Sequence, residues 1–340
     1  MAFAIIWFIL WGVLWTVYFV LDGFDLGAGM LQPFIARGES ERHAVAASIG
    51  PFWNGNEVWL VTGGGALFAA FPNVYATVFS GFYDAFMLLL FALIFRAAAI
   101  EFRSKRPEPR WRTTWDVAFA VSSTESALLI GVAIGNIVWG IPLDDQHDFQ
   151  GNLLTLLNPY ALVVGLTSVA LMVMHGNLYL ILKTEGPLQQ QLLRWTKRTV
   201  PIYLASFVFL NAVTLLYCPH LKSVIHQRGL LLGSIAVTAV LITFNIPREL
   251  RRKNFGWAFI SSGLSIVTMM VLFAATVFPH LVISRPQFAN SLDIYNGAST
   301  EKSLNFMFWV ALIGVPIVLA YTVSIYYVFR GKVTLTEESY

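Results

Sequence analysis

The sequence predicts an all-α integral membrane protein with nine transmembrane helices, and three observations carry that prediction. Of the 340 residues, 57% are hydrophobic and only 12% are charged, whereas a soluble domain typically carries about a quarter charged residues. Apolar stretches of about 20 residues, which is the length needed to cross a bilayer, recur along the whole chain. The Lys and Arg residues lie between those stretches and favour alternate loops. We therefore expect one membrane domain over residues 1–340, with no loop long enough for a soluble domain.

The nine predicted helices follow from the apolar stretches, with boundaries good to a few residues. They lie near residues 4–26, 50–70, 74–100, 115–138, 158–182, 199–218, 229–247, 256–279 and 305–329. Polar residues and three consecutive glycines interrupt the second stretch, which makes it the least regular of the nine. The longest connection, residues 280–304, is expected to fold over one end of the helices as a short cap.

The distribution of positive charge predicts the orientation. If the N-terminus lies outside and the C-terminus lies in the cytoplasm, 17 of the 22 Lys and Arg residues fall in inner loops. Only four fall in outer loops, and Arg96 lies within the third helix. This bias satisfies the positive-inside rule. The chain has no basic residue before Arg37, so we expect its first apolar stretch to be retained as a helix rather than removed as a signal peptide.

Composition also limits the partners and metals. A formal net charge of +3 is too small to indicate nucleic acid binding. The single cysteine, Cys218, can form neither an internal disulfide nor a multi-thiolate metal site. No zinc or copper motif is present, so no metal site is predicted.

Ionisable residues inside predicted helices are costly unless they are paired or hydrated, so each is a candidate functional residue. Asp22 and Asp25 in "LDGFDLGAG" are three residues apart and share one helix face. They could form a proton-conducting or charge-pairing cluster, or they could be interfacial acids paired with a loop arginine such as Arg37. Gly23 and Gly27 form a small-residue strip that allows another helix to approach closely.

A second pair of polar residues lies in "GPFWNGNEVWLVTGGG", residues 50–65. Asn54 and Glu57 are three residues apart on the predicted second helix, with Trp59 close by. Burial of a glutamate brings its proton affinity into the range useful for proton transfer. The alternative is a structural carboxylate that is hydrogen-bonded between helices.

Asp84 and Arg96 both belong to the predicted third helix. A separation of 12 residues is about 18 Å along a helix, so the two cannot pair with each other. For Arg96 the partner could be an anionic cofactor group or one of the acids of the first helix. Arg96 and Trp59 are therefore candidates to contact a cofactor, and Asp84 joins the candidates for a proton path.

His175 is the one histidine well inside a predicted helix. A b-type haem needs an axial histidine, but a lone histidine is more often a hydrogen-bonded core residue, so His175 is a weak candidate ligand. Trp7, Trp11 and Trp15 recur every four residues on one side of the first helix, and we expect that side to contact lipid or another subunit.

Several segments of the chain resemble subunit II of the cytochrome bd quinol oxidases. They are "LDGFDLGAGML" at 21–31, "GPFWNGNEVWLVTGGGALFAAFPNVYATVFSGFY" at 50–83, "HGNLYLILKTEG" at 175–186, "LDIYNGAS" at 292–299 and "GVPIVLAYTVSIYYVFRGKV" at 314–333. The matches run in order from end to end, while residues 190–250 agree only in hydropathy. Some relatives have WDGNQ where this chain has WNGNE, so a carboxylate three residues further on, Glu57, could replace an acid at position 54.

The resemblance implies a subunit of a respiratory terminal oxidase that oxidises quinol and reduces O₂ to water. It implies a larger partner, subunit I, that holds two b-type haems and one d-type haem, and often a very small single-helix subunit. Subunit II of this family supports assembly, and in several members it contributes a proton path, an O₂ channel or a structural quinone site. A secondary transporter with an intramembrane acidic site is the alternative from another class, because such transporters also have acids and interrupted helices within the membrane.

Overall fold

The chain forms an all-helical membrane bundle closed at one end by a small β-hairpin. The computed structural model describes residues 2–334. Within these residues twelve α-helices follow one another in chain order, namely α1 (Ala2–Ile35), α2 (Glu39–Ile49), α3 (Trp53–Ala70), α4 (Pro72–Gly81), α5 (Tyr83–Phe102), α6 (Pro109–Trp139), α7 (Leu153–Leu156), α8 (Pro159–Lys183), α9 (Gly186–Tyr217), α10 (Lys222–Arg251), α11 (Phe255–Val277) and α12 (Glu301–Val328).

Eight helices of the described part of the chain are long and apolar enough to cross a membrane: α1, α5, α6, α8, α9, α10, α11 and α12. The predicted second span corresponds to α3, which is absent from this set. Asn54, Asn56 and Glu57 make the first turn of α3 polar, and this lowers the apolar content of the helix. The polytopic all-α class is thus confirmed, whereas the count of nine spans stays a prediction.

The helices differ from the prediction in several places. The helix expected at 199–218 begins at Gly186, and the helix expected at 229–247 spans Lys222–Arg251. The helix expected at 4–26 continues to Ile35, because residues 22–32 are buried among other helices rather than placed at the membrane surface. The short helix α2 was not predicted. The single helix expected at 74–100 is wrong, since Phe82 leaves the helical conformation with φ −99° and ψ 19° and separates α4 from α5.

Helices α1 and α8 approach closely where two glycines face each other. A Cβ atom built on Gly27 would lie 2.8 Å from the Cα of Gly176 and 2.1 Å from the carbonyl oxygen of Met172. Only a residue without a side chain fits at that distance. The predicted small-residue strip therefore does bring a partner helix into backbone contact, and this contact fixes the part of α1 that carries Asp22 and Asp25.

The tryptophan stripe of α1 packs against other parts of this chain, so the prediction that it contacts lipid or another subunit is wrong. The Nε1–H group of Trp7 donates a hydrogen bond to the carbonyl oxygen of Leu304 (2.9 Å). Trp11 donates in the same way to the carbonyl oxygen of Gly63 on α3 (3.1 Å). The ring of Trp15 lies 3.3 Å from where a Cβ of Gly63 would be. The glycines of α3 thus create room for indole rings, whose N–H groups need acceptors inside a membrane protein.

Residues 280–304 form the expected cap. Strand β1 (His280–Val282) pairs antiparallel with β2 (Leu292–Asp293). The backbone N–H of Ser299 donates to the carbonyl oxygen of Ala70 at the end of α3 (2.8 Å). Together with the Trp7–Leu304 bond, this contact joins the cap to the ends of α1 and α3.

Candidate functional site

A buried ion-pair cluster joins α1, α3 and α5. The Nη1 atom of Arg96 lies 2.8 Å from Oδ1 of Asp22, and its Nη2 atom lies 3.1 Å from Oε2 of Glu57. The Arg96 and Asp22 side chains have no exposed surface, while 22% of the Glu57 side chain is exposed. A guanidinium at this depth needs hydrogen-bonded anionic partners, because an unpaired buried charge is strongly destabilising. The expectation that a helix 1 acid pairs with Arg96 is therefore confirmed.

Asp25 lies beside this cluster and is held by an amide rather than by a cation. The Nδ2–H₂ group of Asn56 donates to Oδ2 of Asp25 (2.8 Å) and to the carbonyl oxygen of Leu21 (3.1 Å). The Tyr326 hydroxyl of α12 donates to Oδ1 of Asn56 (2.9 Å). A chain of hydrogen bonds therefore runs from α12 through α3 to α1. The alternative in which Asp22 and Asp25 pair with Arg37 is wrong, because both acids are fully buried while Arg37 is exposed.

Four buried polar atoms of the cluster lack a hydrogen-bond partner in good geometry, although the Tyr18 hydroxyl lies close to the Asp22 carboxylate. They are the Tyr18 hydroxyl, Oδ2 of Asp22, Oδ1 of Asp25 and Nε of Arg96. Buried polar atoms are normally hydrogen-bonded to protein or to ordered water. The carboxylate and hydroxyl atoms of this set give the cluster unused hydrogen-bonding capacity at the centre of the bundle.

The remaining predicted site residues lie outside the cluster. Asn54 and Asp84 are exposed, and Asp84 stands in the first turn of α5, three helical turns from Arg96. Trp59 is buried in the hydrophobic core. The residues that sequence reasoning missed are Asn56 and Tyr326. Asn56 stands in the quoted 50–65 stretch and Tyr326 in the family-like 314–333 segment, but no spacing rule links positions 270 residues apart.

His175 is a core residue whose two ring nitrogens are both occupied. Its Nε2 atom lies 2.9 Å from the carbonyl oxygen of Val20, and because a carbonyl can only accept, Nε2 carries a hydrogen. Its Nδ1 atom lies 2.7 Å from the Ser262 hydroxyl. No ring nitrogen faces a space for iron, so His175 does not fit as an axial haem ligand. Within residues 2–334, no group of three or more His, Cys, Asp and Glu side chains could hold a metal ion.

A second charged network lies at the bundle end where α1 ends and α6 begins. The Arg103 guanidinium contacts Oδ1 of Asp116 at 2.6 Å and Oε1 of Glu39 at 2.9 Å. Arg42 pairs with Asp116, and Arg112 pairs with Glu39, each at 2.9 Å. Burial alone would raise the pKa of Glu39, but these arginines outweigh it and hold the pKa below its usual value. The network ties α2 to the junction between α5 and α6.

A large apolar cavity lies close to the ion-pair cluster. Its volume is about 670 Å³, and aromatic and aliphatic side chains from α1, α3, α4, α5, α6 and α11 line it. Phe19, Leu60 and Leu93 belong to its wall. Each of these wall residues stands three positions along its helix from a cluster residue, in the pairs Phe19–Asp22, Glu57–Leu60 and Leu93–Arg96. Three positions are about one helical turn, so the cavity comes within about one turn of the charged cluster.

Comparison with known proteins gives consistent matches over nearly the whole chain. The family model for cytochrome bd terminal oxidase subunit II matches residues 3–329. Cytochrome bd-I ubiquinol oxidase subunit 2 of Escherichia coli K12 is 35% identical, over 97% of this chain and 94% of the relative. Cytochrome bd ubiquinol oxidase subunit 2 of Bacillus subtilis is 32% identical, over 98% and 97%.

A solved structure agrees in fold. The bd oxidase from Geobacillus thermodenitrificans contains a chain that superimposes with a TM-score of 0.80, covering 97% of this chain and 99% of that one, at 16% identity. The extent and the identity of the sequence matches show that this chain belongs to the cytochrome bd terminal oxidase subunit II family.

Proposed function

We propose that this chain is the non-haem-ligating subunit of a respiratory quinol oxidase in the bacterial cytoplasmic membrane. The whole complex oxidises quinol and reduces O₂ to water, and subunit I holds its two b-type haems and its d-type haem. The full-length identity to subunit 2 of ubiquinol oxidases supports this role. The transporter alternative has no counterpart among these matches.

The ion-pair cluster is the observation that carries the mechanism. Asp22, Asp25 and Glu57 supply three carboxyl groups. Among the described residues Arg96 is the one cation that pairs with any of them, and it contacts Asp22 and Glu57 but not Asp25. If all four groups were ionised, the buried cluster would carry a net charge of −2, which a low-dielectric site disfavours. Uptake of a proton relieves this imbalance. The cluster is thus suited to receive protons from the cytoplasm and to release them toward the oxygen-reducing subunit.

Glu57 is the exit of this path in our proposal. It is the cluster member with exposed surface, and its neighbours Asn54, Gly55 and Val58 on α3 are exposed as well. Ordered water on the unsatisfied atoms of Asp22 and Asp25 would connect the carboxyl groups. Asn54 cannot ionise, so its part is limited to hydrogen bonding at the exit.

The exposed surface of α12 and α3 is the proposed contact with subunit I. No residue in the most apolar 18-residue window of α12 is buried within this chain. Large side chains project from it, among them Phe306, Trp309, Ile313 and Tyr321. Burial of this surface by a partner subunit would also cover Glu57. Helix α3, although polar at its start, then completes the nine spans, with the N-terminus outside and the C-terminus in the cytoplasm.

The apolar cavity is the proposed route or reservoir for O₂. Its wall is almost free of polar groups, and a small apolar gas partitions into such a space more readily than water does. Because the cavity lies within about one helical turn of the charged cluster, the proposed O₂ route and the proposed proton path lie close together. Trp11 and Trp15 of α1 form one side of this cavity.

The decisive experiment uses the assembled complex, purified through a tag on this chain after co-expression with its partner genes. A reduced-minus-oxidised spectrum with a d-type haem band, together with a larger partner chain, would support the assignment. A colourless protein without a partner would reject it.

The same complex tests the proton path. Glu57→Gln is expected to slow quinol-driven O₂ consumption tenfold or more, consistent with general-base contributions of 10²–10⁴, while the haem spectrum stays unchanged. Glu108→Gln, which neutralises an exposed acid just before α6, is the matched control and should keep full turnover. Full turnover of Glu57→Gln in an assembled complex would reject the proton path.

A further inference from the structure

A basic cavity lies at the end of the bundle where α8, α10 and α12 end and α11 begins. Its volume is about 440 Å³. Lys253 and Lys332 stand on its wall with Phe255, Gly256 and Trp257. The count of basic residues assigns this end to the cytoplasmic side. The cavity belongs neither to the ion-pair cluster nor to the apolar cavity, so its role requires a separate explanation.

Lys332 is fixed at the cavity wall by the C-terminal end of α8. Its Nζ atom donates to the carbonyl oxygens of Thr184 (2.6 Å) and Ile181 (3.1 Å), and it lies 5.6 Å from the centre of the Phe255 ring. Neutral acceptors hold the ammonium without cancelling its charge. The residue therefore presents a positioned positive charge to anything that enters the cavity.

Lys253 supplies a second, exposed charge. Its backbone has φ +60°, a left-handed conformation that is uncommon for residues other than glycine. Its side chain is exposed, and its ammonium makes no hydrogen bond or ion pair within the described residues. The nearby acid Glu249 is already bound by Arg252 and by the side-chain amide of Asn254. Lys253 thus has no counter-ion among the described residues, while the exposed Glu185 is an acid near Lys332 without being hydrogen-bonded to it.

An apolar path leads from the cavity along α11. Trp257 is 62% exposed, and Ile260 and Leu264 follow it on the same helix face, also exposed. Tryptophan favours the boundary between headgroups and hydrocarbon. A ligand that is anionic at one end and hydrocarbon at the other matches both parts of this surface.

We propose that this cavity binds the phosphodiester headgroup of an anionic phospholipid of the phosphatidylglycerol class. Lys253 and Lys332 contact the phosphate, and an acyl chain lies along Trp257, Ile260 and Leu264. Basic pockets between helices on the cytoplasmic side are typical sites for such lipids. The proposal is independent of the oxidase mechanism, because it concerns a surface away from the ion-pair cluster.

The test measures lipid retention by the whole purified complex in native mass spectrometry. The complex is stripped of lipid in detergent and then titrated with phosphatidylglycerol or with phosphatidylcholine. Lys253→Asn removes the charge with a residue that tolerates positive φ, and we expect it to weaken phosphatidylglycerol binding about fivefold. Lys197→Gln, which removes an exposed charge on α9, is the control and should leave binding unchanged.

A steric variant provides a second readout. A Cβ on Gly256 would meet no atom within 4 Å, so Gly256→Leu is expected to fold and to fill the cavity, lowering phosphatidylglycerol binding at least as much as Lys253→Asn. Gly233→Leu, at an equally open position on α10, is its control. Equal binding of phosphatidylcholine, equal losses in the test and control variants, or complete displacement by millimolar inorganic phosphate would each overturn the lipid assignment.

Discussion

Arg96 on α5 and Asp22 on α1 form an ion pair with an Nη1–Oδ1 distance of 2.8 Å and no exposed surface on either side chain. The two residues are 74 positions apart in the sequence, and their pair joins two membrane helices. Breaking a buried pair leaves an uncompensated charge, which costs about 3–5 kcal/mol. We therefore expect Arg96→Met to reduce the yield of assembled complex severely.

The matched variant removes both members of the ion pair. Arg96→Met alone leaves the buried Asp22 carboxylate without its cation, whereas Arg96→Met combined with Asp22→Leu removes that carboxylate too, so the double variant should recover more assembled complex than Arg96→Met alone. The measurement is the haem absorbance that co-purifies with a tag on this chain. If the single and the double variants lose complex equally, the ion pair has no structural role of its own.

The amide link between Asp25 and α12 is open to a separate test. Asn56→Ala removes the groups that contact Asp25, Leu21 and Tyr326, leaving a buried carboxyl without a donor at a cost of about 1–3 kcal/mol. We expect a lower melting temperature of the detergent-solubilised complex and slower O₂ consumption. Thr62→Ala, at an exposed position on the same helix, should change neither by a comparable amount.

The contact between Gly27 and Gly176 predicts a strong steric effect. Gly27→Ala would place a methyl group 2.1 Å from the Met172 carbonyl oxygen, forcing α1 and α8 apart at a cost of about 1–3 kcal/mol or more. Gly12→Ala on the same helix meets no atom within 4 Å and should be harmless. Thermal unfolding of the two purified variants compares them directly. Similar melting temperatures would show that the helices do not pack as closely as described.

The pH dependence of stability should report on Glu39. Its pKa in the folded protein lies below the usual 4.5, so its ionised form stabilises the fold. That stabilisation is fully present above about pH 4.5 and is lost as the pH falls through the folded-state pKa. Because the side chain is 48% exposed, solvent screening limits the effect to below about 1 kcal/mol.

Glu39→Gln should accordingly lower the melting temperature slightly at pH 7, and the difference from the wild type should shrink as the pH falls below 4.5 and through the lowered pKa of Glu39. Glu108→Gln, at an exposed position preceding α6, serves as the control. A difference in melting temperature that grows as the pH falls would mean that the ionised form of Glu39 does not stabilise the fold.

The sequence predicted those features of the site that depend on residues close together in the chain. The three-residue spacing of Asp22 and Asp25 placed both acids on one face, and the depth of Arg96 required an acidic partner. What could not be predicted was the side of α1 that faces α3. Tryptophan is in general well suited to a lipid-facing position, so the sequence favours such a position for Trp11. In the structure the N–H group of Trp11 instead donates to the carbonyl oxygen of Gly63, 52 residues away.

The missed residues have the same physical explanation. Asn54 and Asn56 are two residues apart, so helical geometry turns them to different sides, and only tertiary packing decides which side is buried. The structure buries Asn56 and exposes Asn54. The break at Phe82 was not predicted because residues 74–100 are predominantly apolar, and hydropathy does not distinguish one long helix from two consecutive helices.

The hydrogen bond from Tyr326 to Asn56 also sets an order of events during synthesis. Tyr326 belongs to α12, the last helix of the described residues, so the ribosome has to make residues 1–326 before the Tyr326 donor for Asn56 exists. Until then the amide that holds Asp25 lacks one of its own partners, and a prematurely terminated chain can never supply it. The hydrogen bonds around the charged centre can therefore be completed only after α12 has been synthesised.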